Sequence, residues 1–184
     1  MSSSRREKYL ALAALDYSGK TTEELEALSR KVLEEGMHGL CFSPYEEEQQ
    51  PGDQISEAQI RRRMEIIKPY TKWIRSFSCT DGNEMIPRVA REYGIKTLVG
   101  AWLGDDPEIN EREVAGLIAL VDEGCVDIAA VGNEVMYRGD LEESELLEFI
   151  YRVKQSVKDI PVGYVDAYYE FAERPKITEA CDVI

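Results

Sequence analysis

The feature that most restricts the fold is a recurring unit: a capping residue, an amphipathic helix, a short apolar strand and a polar loop. "TTEELEALSRKVLEEG" opens with Thr21 and Glu24 in capping-box spacing and closes at Gly36, and "HGLCFSPY" follows as a strand. "SEAQIRRRMEIIKPY" opens with Ser56 and Gln59 in the same spacing. It places Ile60, Met64 and Ile67 at helical intervals before the strand "KWIRSFS". "DGNEMIPRVAREYG" closes at Gly94, with Pro87 early enough to be tolerated in a first turn, and leads into "KTLVGAWL". "NEREVAGLIALVDEG" closes at Gly124 before "VDIAAVGNE". Asp140 and Glu143 predict an acidic capping box for "LEESELLEFIYRVKQSV", ahead of "IPVGYVDAYY". A short helix through Thr178 then leads to "CDVI", the start of a sixth strand.

Strands alternating with helices of about ten to fifteen residues build right-handed βαβ units around a parallel sheet, an α/β fold. The strands are near-continuous apolar runs, as expected when both faces are covered. Two architectures fit, an open doubly wound sheet and a (β/α)8 TIM barrel. No GxGxxG or GxxxxGK loop follows any strand, which weakens the nucleotide-binding form of the open sheet. Polar and aromatic residues gather instead at the C-terminal ends of several strands, the distribution of a barrel active site. A barrel takes about 250 residues, and these 184 supply about five and a half βα units. The expected organisation is a leader or the start of a first helix over 1–20, then one incomplete barrel domain over 21–184.

Charge and cysteine content narrow the partners. Lys and Arg number 22 against 36 Asp and Glu, a net charge of −14, which disfavours nucleic acid and anionic membranes and leaves neutral ligands open. No apolar stretch approaches the roughly 20 residues of a membrane span. The start, "MSSSRREKYLALAALDYSGKT", is basic, but its apolar run is short and broken by Tyr and Asp, so the expected location is cytoplasmic, with secretion as the alternative. Cys41, Cys79, Cys125 and Cys181 lie far apart in or beside predicted strands, and they read as buried free thiols rather than disulfides or metal ligands. His38 is the only histidine, which leaves Ser-His-Asp and histidine–metal chemistry little material; no metal and no cofactor is expected.

At the strand ends the first strand delivers Phe42 and Tyr45, and the second carries Arg75 within it. The third ends in Trp102, the fourth in Asn133-Glu134 with Tyr137 close behind, and the fifth supplies Tyr164, Asp166 and Tyr168. Aromatic faces stack on the apolar C–H faces of sugars, and carboxylates perform glycoside cleavage without histidine or metal.

With "AAVGNEV" on the fourth strand, the arginine of "KWIRSFS", and the segments "FSPY", "VGAWLG" and "GYVDAYYEF", the chain resembles glycoside hydrolase family 17, the β-1,3-glucanases and glucanosyltransferases among the (β/α)8 retaining glycosidases. The resemblance implies a neutral β-glucan substrate. It implies Glu134 as general acid/base, Asn133 as donor to a sugar 2-hydroxyl, and Arg75 as the residue that orients a nucleophilic carboxylate. It also implies sugar contacts from Phe42, Tyr45, Trp102, Tyr137, Tyr164 and Tyr168, with packing of the rim as the alternative for Tyr45, Trp102 and Tyr164. The family's nucleophilic glutamate lies in a seventh-strand segment that has no counterpart before Ile184. Asp166 and Glu170 are not expected to replace it. These residues are therefore expected to be inactive alone, as a fragment of a longer product or a chain completed by another through open sheet edges. A non-catalytic carbohydrate-binding protein is the competing reading; an aldolase or isomerase barrel would want a lysine or metal set at the strand ends.

Overall fold

A computed structural model describes residues 16–184, so the first fifteen residues of the expected leader lie outside the described residues. The chain order is α1 (Thr22–Glu35), β1 (Met37–Cys41), α2 (Glu57–Ile67), a 3-10 turn (Lys68–Tyr70), β2 (Thr71–Ser76), α3 (Met85–Glu92), β3 (Lys96–Ala101), α4 (Pro107–Asp122), β4 (Ile128–Asn133), α5 (Val135–Arg138), α6 (Glu143–Ser156), β5 (Val162–Val165), α7 (Tyr168–Glu173) and α8 (Pro175–Ala180). All four strand pairs are parallel, and the spatial order is β1-β2-β3-β4-β5. That order decides between the two architectures. A doubly wound sheet reverses direction partway, whereas each unit here steps the same way round, as in a barrel. A parallel bridge from Gly163 to Val183 marks the expected start of the next strand. A Cβ at Gly163 would lie 2.1 Å from the Val183 carbonyl oxygen, so only glycine lets that segment approach.

Strands β2 to β5 send alternate side chains to the helices. Ile74 packs with Ile60, Met64, Ile86 and Val89 from α2 and α3. Val99, Ala129, Val131 and Val162 pack with Leu117, Leu146, Ile150 and Ile177 from α4, α6 and α8. The opposite face, with Arg75, Leu98, Ile128 and Ala130, lines a hollow of about 350 Å³ that reaches Val183 and Ile184.

Several local expectations hold and others shift. Thr21 and Glu24 form the full capping box, with the Thr21 N–H donating to the Glu24 carboxylate at 2.8 Å. Ser56 caps α2 through Gln59 N–H, but the Gln59 side chain turns away to donate to the Pro44 carbonyl at 2.7 Å. Helix α4 starts at Pro107, three residues before the sequence pattern begins, because the Asp106 carboxylate accepts from the Glu108 and Ile109 amides. Asp140 does not cap α6. It is taken by Arg138 at 2.6 Å, and the cap moves two residues on, where Glu145 accepts from the Glu142 N–H at 2.8 Å. All four cysteines are free, and Cys79 and Cys125 are buried as expected, but Cys181 is only half-buried and Cys41 is exposed. Cys41 sits on β1, which pairs on one side only among the described residues, and it faces the open side beside Arg75.

Candidate active site

Strand β4 does not end as a regular strand. Its register against β5 shifts between Ala130 and Asn133, and Gly132 takes φ +93°, where an added Cβ would meet Val135 at 2.8 Å and Tyr164 at 3.2 Å. A bulge of this kind re-aims the following side chains. Glu134 then adopts φ +53°, ψ +30°, a left-handed conformation that costs a non-glycine residue about 1–3 kcal/mol. Its N–H donates to the Val165 carbonyl at 2.8 Å, and its side chain stands exposed at the rim. Asn133 stays half-buried, and its Oδ1 accepts a hydrogen bond from Arg75 Nη2. The Arg75 guanidinium lies 4.6 Å from the Phe77 ring centroid, and its buried Nε has no partner among the described residues. Arg75, Asn133 and Glu134 are thus brought together, with the arginine fixing the amide.

Arg138 and Asp166 hold this corner, and neither role was legible beforehand. Arg138 donates through Nη1 to the Asn133 carbonyl, through Nη2 to the Leu103 carbonyl at 2.8 Å, and through Nε to Asp140. Its guanidinium also lies 4.6 Å from the Trp102 ring centroid. One side chain therefore ties the end of β4 to the end of β3. Asp166 accepts from the Met136 N–H at 3.1 Å, the Tyr137 N–H at 3.3 Å and the Tyr164 hydroxyl. The spacing "YRGD" after Glu134 was the available signal for Arg138; nothing local to Asp166 betrayed its partners thirty residues away.

A cleft of about 490 Å³ is walled by Phe42, Tyr45, Phe77, Trp102 and Ile109. Neither Asn133 nor Glu134 lines it. Trp102, 39% exposed, joins the two, since its ring lies in the cleft wall and against Arg138. Phe42 is largely buried in the core and offers the cleft only an edge. The Tyr45 hydroxyl accepts from Asn83 at 3.3 Å. Beneath the cleft, Glu113 is 1% exposed and accepts four hydrogen bonds: from the Ser78 and Thr80 hydroxyls at 2.6 Å each, Cys79 N–H at 2.7 Å and Trp102 N–H at 3.0 Å. That buried carboxylate sets the height of Trp102 and of the loop after β2. Burial first, and then this carboxylate, push the Cys79 thiol well above its ordinary pKa, so the sulfur stays protonated and donates to the Gly100 carbonyl at 3.3 Å.

The remaining tyrosines separate. Tyr137 and Tyr168 stand well exposed at the rim, Tyr168 at 84%, and Tyr168 rides on α7 beside Tyr169 rather than on the strand. Tyr164 is 1% exposed and packs on Phe171, so it lies under the site with no face left for a ligand. Of the two carboxylates near β5, Asp166 is committed to backbone amides and Glu170 is buried against Arg174.

Parallel sheets of this order belong to the (β/α) barrels, and within them a rim carboxylate beside aromatic walls is the equipment of glycosidases. Within that class, the chain belongs to the BtgE/BtgC glycoside hydrolase domain family, whose model matches residues 39–184. It is 33% identical over 115 residues to a glucan 1,3-beta-glucosidase of Schizosaccharomyces pombe, covering 56% of this chain and 36% of that one. It is 28% identical over 139 residues to a glucan 1,3-beta-glucosidase of Candida albicans, covering 66% of this chain and 45% of the other. The chain thus spans less than half the length of these relatives. Among solved structures it is similar to an active-site mutant of Rhizomucor miehei beta-1,3-glucanosyltransferase in complex with laminaritriose. The TM-score is 0.67 at 25% identity, over 81% of this chain and 56% of that one.

Proposed function

We propose that these residues form the acid/base half of a retaining β-1,3-glucan hydrolase or glucanosyltransferase. The observation that carries the reading is the held geometry of Glu134. Its backbone is kept left-handed at the end of a bulged strand, its carboxyl is free at the rim, and the Asn133 amide beside it is fixed by Arg75. Strain of this kind persists where the surroundings over-determine it, and it gathers at active sites.

In the mechanism, the aromatic cleft receives sugar rings against Trp102 and Tyr45. Glu134 protonates the departing glycosidic oxygen as a second carboxylate, about 5–5.5 Å away, attacks the anomeric carbon. Asn133 then contacts the 2-hydroxyl, an interaction that strengthens at the transition state. Glu134, now a carboxylate, removes a proton from the acceptor that resolves the glycosyl-enzyme. Water gives hydrolysis and a sugar hydroxyl gives transfer. The second carboxylate is expected from a strand beyond these residues, and Arg75, which lines the open side of the sheet, is the residue placed to orient it.

The test is turnover of laminari-oligosaccharides by the complete gene product and its Glu134→Gln variant. Loss of general acid/base catalysis should lower kcat by about 10²–10⁴-fold while laminaritriose binding is retained. Near wild-type turnover in the variant would falsify the assignment of Glu134. Binding without any turnover in the wild-type product would favour the carbohydrate-binding reading instead.

A further inference from the structure

We propose that Asp166 is a positioning residue, a helix cap lent by β5 so that the Glu134 carboxylate is left free. The proposal rests on the reading of Glu134 as the acid/base. An N-cap residue ordinarily sits in extended backbone and uses its own side-chain oxygen to accept from the second and third amides of its helix. Glu134 occupies the N-cap position of α5, yet it is left-handed and makes no side-chain cap bond. The second and third amides, of Met136 and Tyr137, donate instead to Asp166 Oδ2 at 3.1 and 3.3 Å. A carboxylate from the neighbouring strand thus does the capping that would otherwise draw the Glu134 carboxylate back onto its own turn.

Asp166 is itself held from two sides. Its Oδ1 accepts from the Ala167 N–H at 2.7 Å, and its Oδ2 accepts from the Tyr164 hydroxyl. Burial, then the Asp166 bond, pushes the Tyr164 phenol far above its ordinary pKa, so it remains a donor. The same hydroxyl oxygen accepts from the Met136 N–H at 2.9 Å. Between them, the Val165 carbonyl takes the Glu134 N–H at 2.8 Å. Three consecutive residues, the last two of β5 and Asp166 just after it, therefore grip the turn, and these contacts fall on the backbone of residues 134–137 rather than on the Glu134 side chain. The division of labour follows: Asp166 satisfies amides and Glu134 handles protons.

The experiment compares Asp166→Ala, Asp166→Asn and Tyr164→Phe by NMR and kinetics in the same protein. The left-handed Glu134 backbone gives a strong intraresidue Hα–HN NOE. It should weaken in Asp166→Ala, with faster amide exchange at Met136 and Tyr137 and unchanged signals from the α4 and α6 core. Asp166→Asn keeps an acceptor oxygen and should restore most of the signature, and Tyr164→Phe should fall between. On laminari-oligosaccharides, Asp166→Ala should lower kcat by about 10- to 100-fold through misplacement of the acid, with KM within about twofold. An unchanged Glu134 NOE and unchanged exchange in Asp166→Ala would overturn the proposal. So would a lowered melting temperature with kcat preserved, since that is a purely structural role. If Glu134→Gln remains active while the NOE responds to Asp166, the assignment of the acid fails and the proposed division of labour is overturned with it, leaving only the backbone grip.

Discussion

The two ends of the sheet are built from the same βα unit and behave differently. At β4 and β5 the strands lie over α6 and α8, and Leu146, Ile150 and Val153 of α6 are buried without residual exposure. At the other end, α1 has the same amphipathic pattern, yet it buries none of its residues, and Leu25, Val32 and Leu33 remain exposed. Strand β1 likewise leaves His38, Gly39 and Cys41 open. An apolar stripe is only an offer of burial, and the stabilisation comes from the surface that accepts it. Matched substitutions expose the contrast. Leu146→Ala should destabilise by about 3–5 kcal/mol, whereas Leu33→Ala, the same chemical change, should cost under about 1 kcal/mol. Chemical denaturation of both variants measures the difference. Equal losses would mean that α1 is packed against a surface outside the described residues.

At the centre of the sheet, polar rather than apolar burial does the fixing. Glu113→Ala removes the acceptor for two backbone amides, the buried one of Cys79 and the part-buried one of Trp102, and for two hydroxyls. Leaving the two amides unpaired should cost about 2–4 kcal/mol in total. Glu113→Gln should cost less than half of that, because its carbonyl can keep the amides while rotating hydroxyls accept from its NH2 group. Tryptophan fluorescence offers a local readout, since Trp102 should become more mobile in the alanine variant and not in the glutamine variant. Identical behaviour of the two variants would show that packing, not hydrogen bonding, sets the loop.

The parts that were legible in the sequence are those with short-range causes. Thr21 and Glu24 are three residues apart, and their capping box forms as the spacing implies. The five strands follow from apolar runs, three of them entered through the helix-ending Gly36, Gly94 and Gly124, and the Asn133-Glu134 pair follows from where the fourth run stops. Errors arise where a local pattern competes with a distant partner. Asp140 has good capping spacing to Glu143 but is captured by Arg138, so the helix begins further on. Tyr164 stands among rim residues in sequence, yet strand alternation turns it into the helix layer, where its hydroxyl serves the α5 turn. Glu113 and Asp166 were two carboxylates among 36 acidic residues. Their importance lies in acceptors meeting donors from other strands, which no spacing along the chain encodes.

The smallest expected effect lies at the edge of the sheet, where the segment after α8 returns to β5. Asp182 accepts from Lys154 Nζ at 2.7 Å and from the Val162 N–H at 3.0 Å, and these bonds, the lysine first, hold its carboxyl below the ordinary carboxylate range. A depressed folded-state pKa contributes stability that is complete above the unfolded value of about 3.9 and is lost as pH falls through the lower folded value. Both side chains are partly solvated, so screening should limit the loss in Asp182→Asn at pH 7 to under about 1 kcal/mol. The gap between wild type and variant should close at acid pH, as pH falls through the folded value and both come to carry a neutral side chain. The Lys31–Glu35 pair on α1 is a control at the opposite end: it is 3.7 Å long, wholly on the surface and without a backbone donor. Glu35→Gln should leave stability unchanged at either pH. A pH-dependent loss there, matching that of Asp182→Asn, would show that charge alone rather than the backbone anchor at Val162 holds such edges.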